Sequence, residues 1–385
     1  MAKKGHDVTV WRPKSFFNIL PLGQSVKKYL GYIDQYIIFP IVVRNRLKSL
    51  PQDTLFVFVG HALGPWVPLV KNRPHVIHCH DFLAQLSAEG KIPENKTGWS
   101  GRVYQSYIRR GYSAGKHFIS VSNKTKQDLH DKLSHPPKIS TVIYNAIDSA
   151  FQYSDAQAAR ETLSTTFGID LKRGYILHVG GNQWYKNRLG VIEIYNAWRK
   201  GTTSALPLLL IGETPNELLK KAKGNSSFNN EIYFITSCSD QQVNLAYNGA
   251  SVLLFPSLAE GFGWPIAEAM ASGCPVITTG EDPMTEVAAD AAFLIPKMPE
   301  KETEVEHWAK LAGKTLNTVV TLPAPERRAL VEAGFLNVTR FDFEILINKT
   351  EKVYNLIIQN KKTDVEFSVE PPPHNLLKIS LWSKP

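Results

Sequence analysis

Residues Ser251–Val276 read SVLLFPSLAEGFGWPIAEAMASGCPV. Ser251–Pro256 is a short, dense apolar run between turn residues, the pattern of a parallel strand buried on both faces. The turn Gly261-Phe262-Gly263 follows. Pro265 then falls in the first turn of a helix, where its missing N–H costs nothing, and Gly273 stops that helix after Ser272. Strand, glycine turn and helix in this order present backbone N–H groups and a positive helix end, which suit a phosphate. Two carboxylates flank the device: Glu260 ahead of the turn and Glu268 on the helix, with seven residues between them.

Outward from this stretch the same alternation repeats. Strands are expected at 175–179, 208–211, 232–235, 252–255, 276–278 and 292–295. Helices are expected at 187–199, 215–223, 240–248, 264–272, 302–316 and 325–333. The first half gives strands at 7–11, 55–59, 75–79, 118–121 and 140–144, and helices at 98–115 and 123–133. Alternating strands and helices mean a parallel α/β sheet in each half. Ligands of such sheets gather outside the strands' carboxyl ends, so two sheets predict a cleft between domains. The segment 25–50 mixes Tyr29, Tyr32 and Tyr36 with basic residues. It reads as a helix interrupted near Pro40, its apolar face packed in a core or, as the second option, laid on a lipid surface. A final helix is expected over 343–359. Beyond it the tail from Lys361 has no clear period, and 376–382 is one short strand or loose chain.

At 385 residues two domains are the default. The longest notable apolar run, 36–43, is far short of the ~20 residues a membrane span needs. Met1–Gly5 is followed by no apolar stretch, which reads as no signal peptide. Cys79, Cys238 and Cys274 are scattered without metal spacing and fit a reducing cytoplasm. The net charge of +9 is uneven: residues 1–150 hold 21 Lys+Arg against 9 Asp+Glu, the remainder 23 against 26. An anionic partner for the first half follows, either a membrane surface, a phosphorylated lipid or nucleic acid, with a merely solvated basic face as the plain alternative.

Three further features bear on chemistry. Val179-Gly180-Gly181-Asn182 leading to Lys186-Asn187 is a second strand–glycine turn–helix, with a lysine placed to neutralise a diphosphate. His78-Cys79-His80-Asp81 ends a strand, which puts His80 at a sheet's carboxyl edge as a polar contact; no further His or Cys completes a metal set. Glu268 alone would be an ordinary exposed helix residue, and only the combination is specific. No Gly-x-Ser-x-Gly elbow, Walker loop or Asp-x-Asp is present.

Gly5-His6-Asp7-Val8-Thr9-Val10, His78–Asp81, Val121–Thr125, Tyr144–Asp148, Lys186-Asn187 and the Glu260-to-Glu268 spacing together resemble the retaining glycosyltransferases of family 4 over most of 5–360. That resemblance implies the GT-B architecture of two Rossmann-like α/β domains. Residues 1–150 form the acceptor-side domain, incomplete at its N-terminus. Residues 151–345 form the donor domain, and 346–385 a terminal helix and tail. It implies a UDP-sugar or GDP-sugar donor, no cofactor and no metal. Glu268 belongs on the ribose and Glu260 on the sugar hydroxyls. Gly261, Phe262, Gly263, Gly181 and Asn182 line the diphosphate and sugar, Lys186 meets the diphosphate, and His80 reaches the sugar from the first domain. The acceptor is a sugar, glycan or lipid-linked acceptor. Specific nucleic-acid binding is not implied; a peripheral place on an anionic cytoplasmic membrane face is compatible.

Two departures stand out. Gly181 occupies a position where many members carry Arg, leaving more to Lys186 or to Arg188. The first strand and glycine loop that should precede Gly5 have no counterpart, so the expectation is a truncated product or a start assigned downstream of the real one. Alternatives are a same-fold nucleotide-sugar epimerase, a non-catalytic nucleotide-sugar-binding protein and, third, a nucleic-acid binder.

Overall fold

The computed structural model describes residues 1–17, 19, 23–203 and 206–359; the tail from Lys361, with its expected strand at 376–382, lies outside them. The chain divides into two compact units. One is residues 1–144 with the last helix from Glu344 on, the other residues 145–343.

The first unit has four parallel strands in chain order: β1 (Phe56–Phe58), β2 (His75–Cys79), β3 (His117–Ser120) and β4 (Ile139–Val142). Asp7–Trp11, expected as a strand, forms no ladder: β1 is paired on one side only among the described residues. An alternating segment without a partner cannot satisfy its backbone as a strand, and Val10 stays 80% exposed while Trp11 packs edge-on against Phe56. The helix expected over 25–50 is interrupted as foreseen. A helix over Gln24–Ile33 passes into a π segment, Asp34–Ile38, and resumes at Phe39–Leu47 with Pro40 in its first turn. Pro40 lacks the N–H an α-helix would use, and the wider turn ahead of it absorbs the loss. Core burial of this segment's apolar side is only partial. Phe39 and Val43 are buried, whereas Tyr29, Tyr32, Ile37 and Ile41 are exposed.

The final helix, Phe343–Ile358, belongs to the first unit's core rather than standing apart. Val353 and Ile357 pack with Val76, Ile119, Ile139 and Ile143. The Tyr354 hydroxyl lies 2.9 Å from His78 Nε2 on β2.

The second unit has six parallel strands: β5 (Ile176–Val179), β6 (Leu208–Ile211), β7 (Ile232–Ile235), β8 (Val252–Phe255), β9 (Val276–Thr279) and β10 (Phe293–Ile295). Their order is β10-β9-β8-β5-β6-β7. The chain starts in the middle, runs outward through β6 and β7, then returns to the other side of β5 with β8. This is the doubly wound Rossmann order, and its switch point lies between β5 and β8. β6 and β8 are buried along their whole length, as runs of Leu, Val and Ile between two helical layers must be. The helix Ala156–Phe167, capped by the Asp155 carboxylate on the Ala158 N–H at 2.7 Å, lies where no element was expected.

Candidate active site

The two glycine turns singled out in the sequence leave from β5 and β8, the strands that flank the switch point. After β5 the chain passes Gly180, Gly181 and Asn182 into a short 3-10 turn, Trp184–Lys186. Asn187 then takes a left-handed conformation (φ 52°) and caps the helix Arg188–Lys200 by accepting the Gly190 N–H at 3.1 Å. The Asn187 amide also donates to the Pro256 carbonyl at 2.9 Å, tying the first turn to the end of β8. No spacing in the sequence marked this bridge.

Lys186 Nζ stands 2.8 Å from Glu260 Oε1, with both side chains largely buried. The Ser257 hydroxyl is 2.7 Å from the same oxygen and 2.7 Å from the Tyr185 carbonyl. The ammonium also lies over the Phe255 ring at 5.2 Å. Gly263 has φ 108°, a region open to glycine, and leads into the helix Trp264–Ala271 with Pro265 in its first turn. Phe262 is buried edge-on against Phe341 at 5.3 Å. On that helix the Glu268 carboxylate accepts the Tyr247 hydroxyl at 2.9 Å. Burial pushes its pKa up to about 7. The Tyr247 hydrogen bond and Lys186 oppose that rise, and Asp240 and Asp148 add to it.

Around Gly181 the sequence expectation needs correcting in detail. The Asn182 N–H donates to Glu213 Oε2 at 3.0 Å, and the Gln183 amide donates to Oε1 at 3.0 Å. A Cβ on Gly181 would stand 2.5 Å from Gln183 Oε1 and 2.7 Å from Glu213 Oε1, so the ends of these two side chains occupy the space a longer residue would use. Arg188 is turned underneath, 3% exposed, and donates to Asn182 Oδ1 at 2.6 Å and the Glu213 carbonyl at 2.9 Å. Its Nε and Nη2 have no hydrogen-bond partner among the described residues. Arg188 therefore clamps the turn from below, and Glu213, which no spacing rule marked, shapes it from above.

Lys186, Glu260, Ser257, Asn187 and the Gly180–Asn182 turn are thus brought together in the second unit, with Glu268 on the adjoining helix. His80 belongs to the first unit, just past β2. Its Nε2 lies 2.8 Å from the Val59 carbonyl, and its own carbonyl accepts the Thr125 hydroxyl at 3.3 Å. Beside it burial holds His61 down to about 4 and His78 to about 4, so both rings are neutral near pH 7. Among the described residues no group of three His, Cys, Asp or Glu side chains is placed to hold a metal ion.

The chain was compared with known proteins. Residues 1–151 match the family described as "Glycosyltransferase Family 4" and residues 159–318 that described as "Glycosyl transferases group 1". The O-antigen chain mannosyltransferase RfbU of Salmonella typhimurium is 25% identical over 298 residues, 77% of this chain and 72% of that protein. The O-antigen chain mannosyltransferase B of Escherichia coli is 29% identical over 196 residues, 50% and 51% of the two chains. Among solved structures, Anabaena HepE in complex with UDP and glucose aligns with a TM-score of 0.61 at 17% identity, over 83% of this chain and 82% of that one. The fold and these matches mark a glycosyltransferase of GT-B type. The chain belongs to family 4, the group 1 glycosyltransferases.

Proposed function

We propose that this glycosyltransferase moves a hexosyl group from a UDP-sugar or GDP-sugar to a glycan or lipid-linked acceptor with retention of anomeric configuration, needing no metal and no cofactor. The observation that carries the reading is the convergence of Lys186 and Glu260, 2.8 Å apart, where strands β5 and β8 part. Within the chain the two charges pair with each other. A donor replaces that pairing with complementary ones: Lys186 on the diphosphate and Glu260 on the sugar hydroxyls, with Glu268 accepting the ribose hydroxyls. Gly181, Asn182, Gly261, Phe262 and Gly263 line the path between, and His80 of the first unit addresses the donor sugar.

In the reaction the bond from the anomeric carbon to the diphosphate oxygen breaks and its electron pair leaves with the phosphate. The acceptor hydroxyl attacks from the same face and its proton passes to the departing oxygen. Little covalent work falls to the protein, so positioning and stabilisation of the leaving charge by Lys186 and backbone N–H groups supply the rate. Relatives named as O-antigen mannosyltransferases favour a hexosyl donor and a glycan acceptor. A cytoplasmic location with peripheral contact to an anionic membrane face completes the reading; among the described residues no helix is long and apolar enough to cross a membrane.

The test is a thermal-shift screen of nucleoside diphosphates and nucleotide sugars, followed by anomeric analysis of any product. The reading expects one base to raise the melting temperature and the diphosphate to outperform the free nucleoside. Donor-independent stability across the whole set overturns it, and epimerised free sugar formed without acceptor replaces it with the epimerase.

A further inference from the structure

In the first unit the helix Trp99–Tyr112 carries no acidic residue, and Arg102, Arg109 and Arg110 are exposed on it. Trp99, at 79% exposure, Val103 and Tyr107 recur at a spacing of four along the same solvent side. These residues are not spare core. The helix buries Ile108, Gly111 and Tyr112 on its other face. Tyr36 joins it to the neighbouring helix: its hydroxyl is 2.9 Å from that of Tyr104, and its ring is 5.6 Å from Tyr107. From Tyr36 the ring contacts continue through Tyr32, at 6.1 Å, to Tyr29, which is 68% exposed. Tyr29, Tyr32, Tyr36, Tyr104 and Tyr107 thus form a linked cluster across two helices, with exposed Trp99 and guanidinium groups on one of them.

Clustered exposed aromatic residues rimmed by polar groups mark interaction sites. Tyr and Trp combine an apolar body with a polar end, which suits the level of lipid headgroups, and basic residues beside them are drawn to anionic lipid. Arg109 is partly neutralised by Glu89 at 3.5 Å, so the uncompensated charge of the helix rests on Arg102 and Arg110. We propose that this aromatic and arginine-edged face of the first unit is the surface that docks on a bilayer containing anionic lipid. The proposal rests on the peripheral membrane contact put forward above and names the face that makes it.

The experiment is co-sedimentation of the full chain with vesicles of phosphatidylcholine, with and without phosphatidylglycerol. It compares wild type, Arg102→Gln/Arg110→Gln, Trp99→Ala, and Lys71→Gln/Lys138→Gln as a control of equal charge change on exposed lysines elsewhere in the unit. Wild type binds the anionic vesicles, and the double arginine variant loses about 30-fold in partitioning, the loss expected for two basic residues at a charged surface. The lysine control loses less than about threefold, because charges off the docking face are held away from the bilayer and screened by salt. Trp99 is nearly free of protein contacts, so Trp99→Ala keeps the wild-type melting temperature and still loses binding, which separates docking from folding.

If wild type binds but the arginine variant and the lysine control fall equally, the face is wrong while the membrane contact stands. If wild type ignores anionic vesicles, both fall, and transferase activity is untouched by either result. Tighter binding to a soluble anionic polysaccharide than to the vesicles also overturns the lipid assignment.

Discussion

Burial lifts the Glu268 carboxyl to about 7, so near neutral pH both its acid and its carboxylate are populated. The folded value lies above the ordinary one. The stability contributed by the acid form is therefore complete below about 4.5 and is lost as pH rises through about 7, by as much as ~3 kcal/mol. Glu268→Gln removes this dependence: the variant should be at least as stable as wild type at pH 8 and show a flatter profile of melting temperature against pH. The carboxylate is the better acceptor for ribose hydroxyls, so the affinity for a nucleotide sugar, whose diphosphate does not titrate in this range, should climb through pH 7 in wild type and not in Glu268→Gln. Calorimetric titration at pH 6 and pH 8 reads this directly. Gly212 offers a second test at this scale. It sits at φ 146°, and a Cβ there would overlap the Gly180 carbonyl. Gly212→Ala must push apart the turns after β5 and β6, costing ~1–3 kcal/mol in chemical denaturation and weakening diphosphate binding with it.

Among the elements, the helix Phe343–Ile358 has the clearest consequence. His78 is neutral and buried, and its hydrogen bond to Tyr354 joins β2 to that helix. Tyr354→Phe strands a buried ring nitrogen and should cost ~1–2 kcal/mol. Ending the chain at residue 343 exposes the side of β2 and β3 that Val353 and Ile357 cover. The first unit should then lose its cooperative melting transition while the second keeps its own, a contrast that calorimetry resolves. The glycine turn after β8 is an element of a different kind. Its strand, Gly263 and the helix from Trp264 follow from local rules of pattern and conformation, which is why Ser251–Val276 could be read so closely from sequence.

For the whole molecule, what was legible in the sequence was whatever depends on period and spacing. All six strands of the second unit and the four that pair in the first were found to within a residue or two, because buried parallel strands are dense apolar runs. The segment Asp7–Trp11 was misread because alternation signals a strand without supplying the neighbour that pairs with it. Lys186, Glu260 and Glu268 were found through their motifs. Glu213, Ser257 and Tyr247 were not, since each acts through a partner distant in sequence: Asn182, Tyr185 and Glu268 respectively. The uneven charge was legible too, but its arrangement as an exposed helix face was not, because periodicity cannot say which side of a helix is left uncovered. Everything proposed for the chemistry meets at Glu260. The most direct test is transfer of labelled hexose from UDP-sugars and GDP-sugars to a glycan or lipid-linked acceptor by wild type and Glu260→Ala, at matched folded fraction. Wild type should transfer, and the variant should fall at least ~100-fold in kcat/KM, the scale of losing one oriented polar contact in a transfer site. Equal rates in the two proteins would contradict the account.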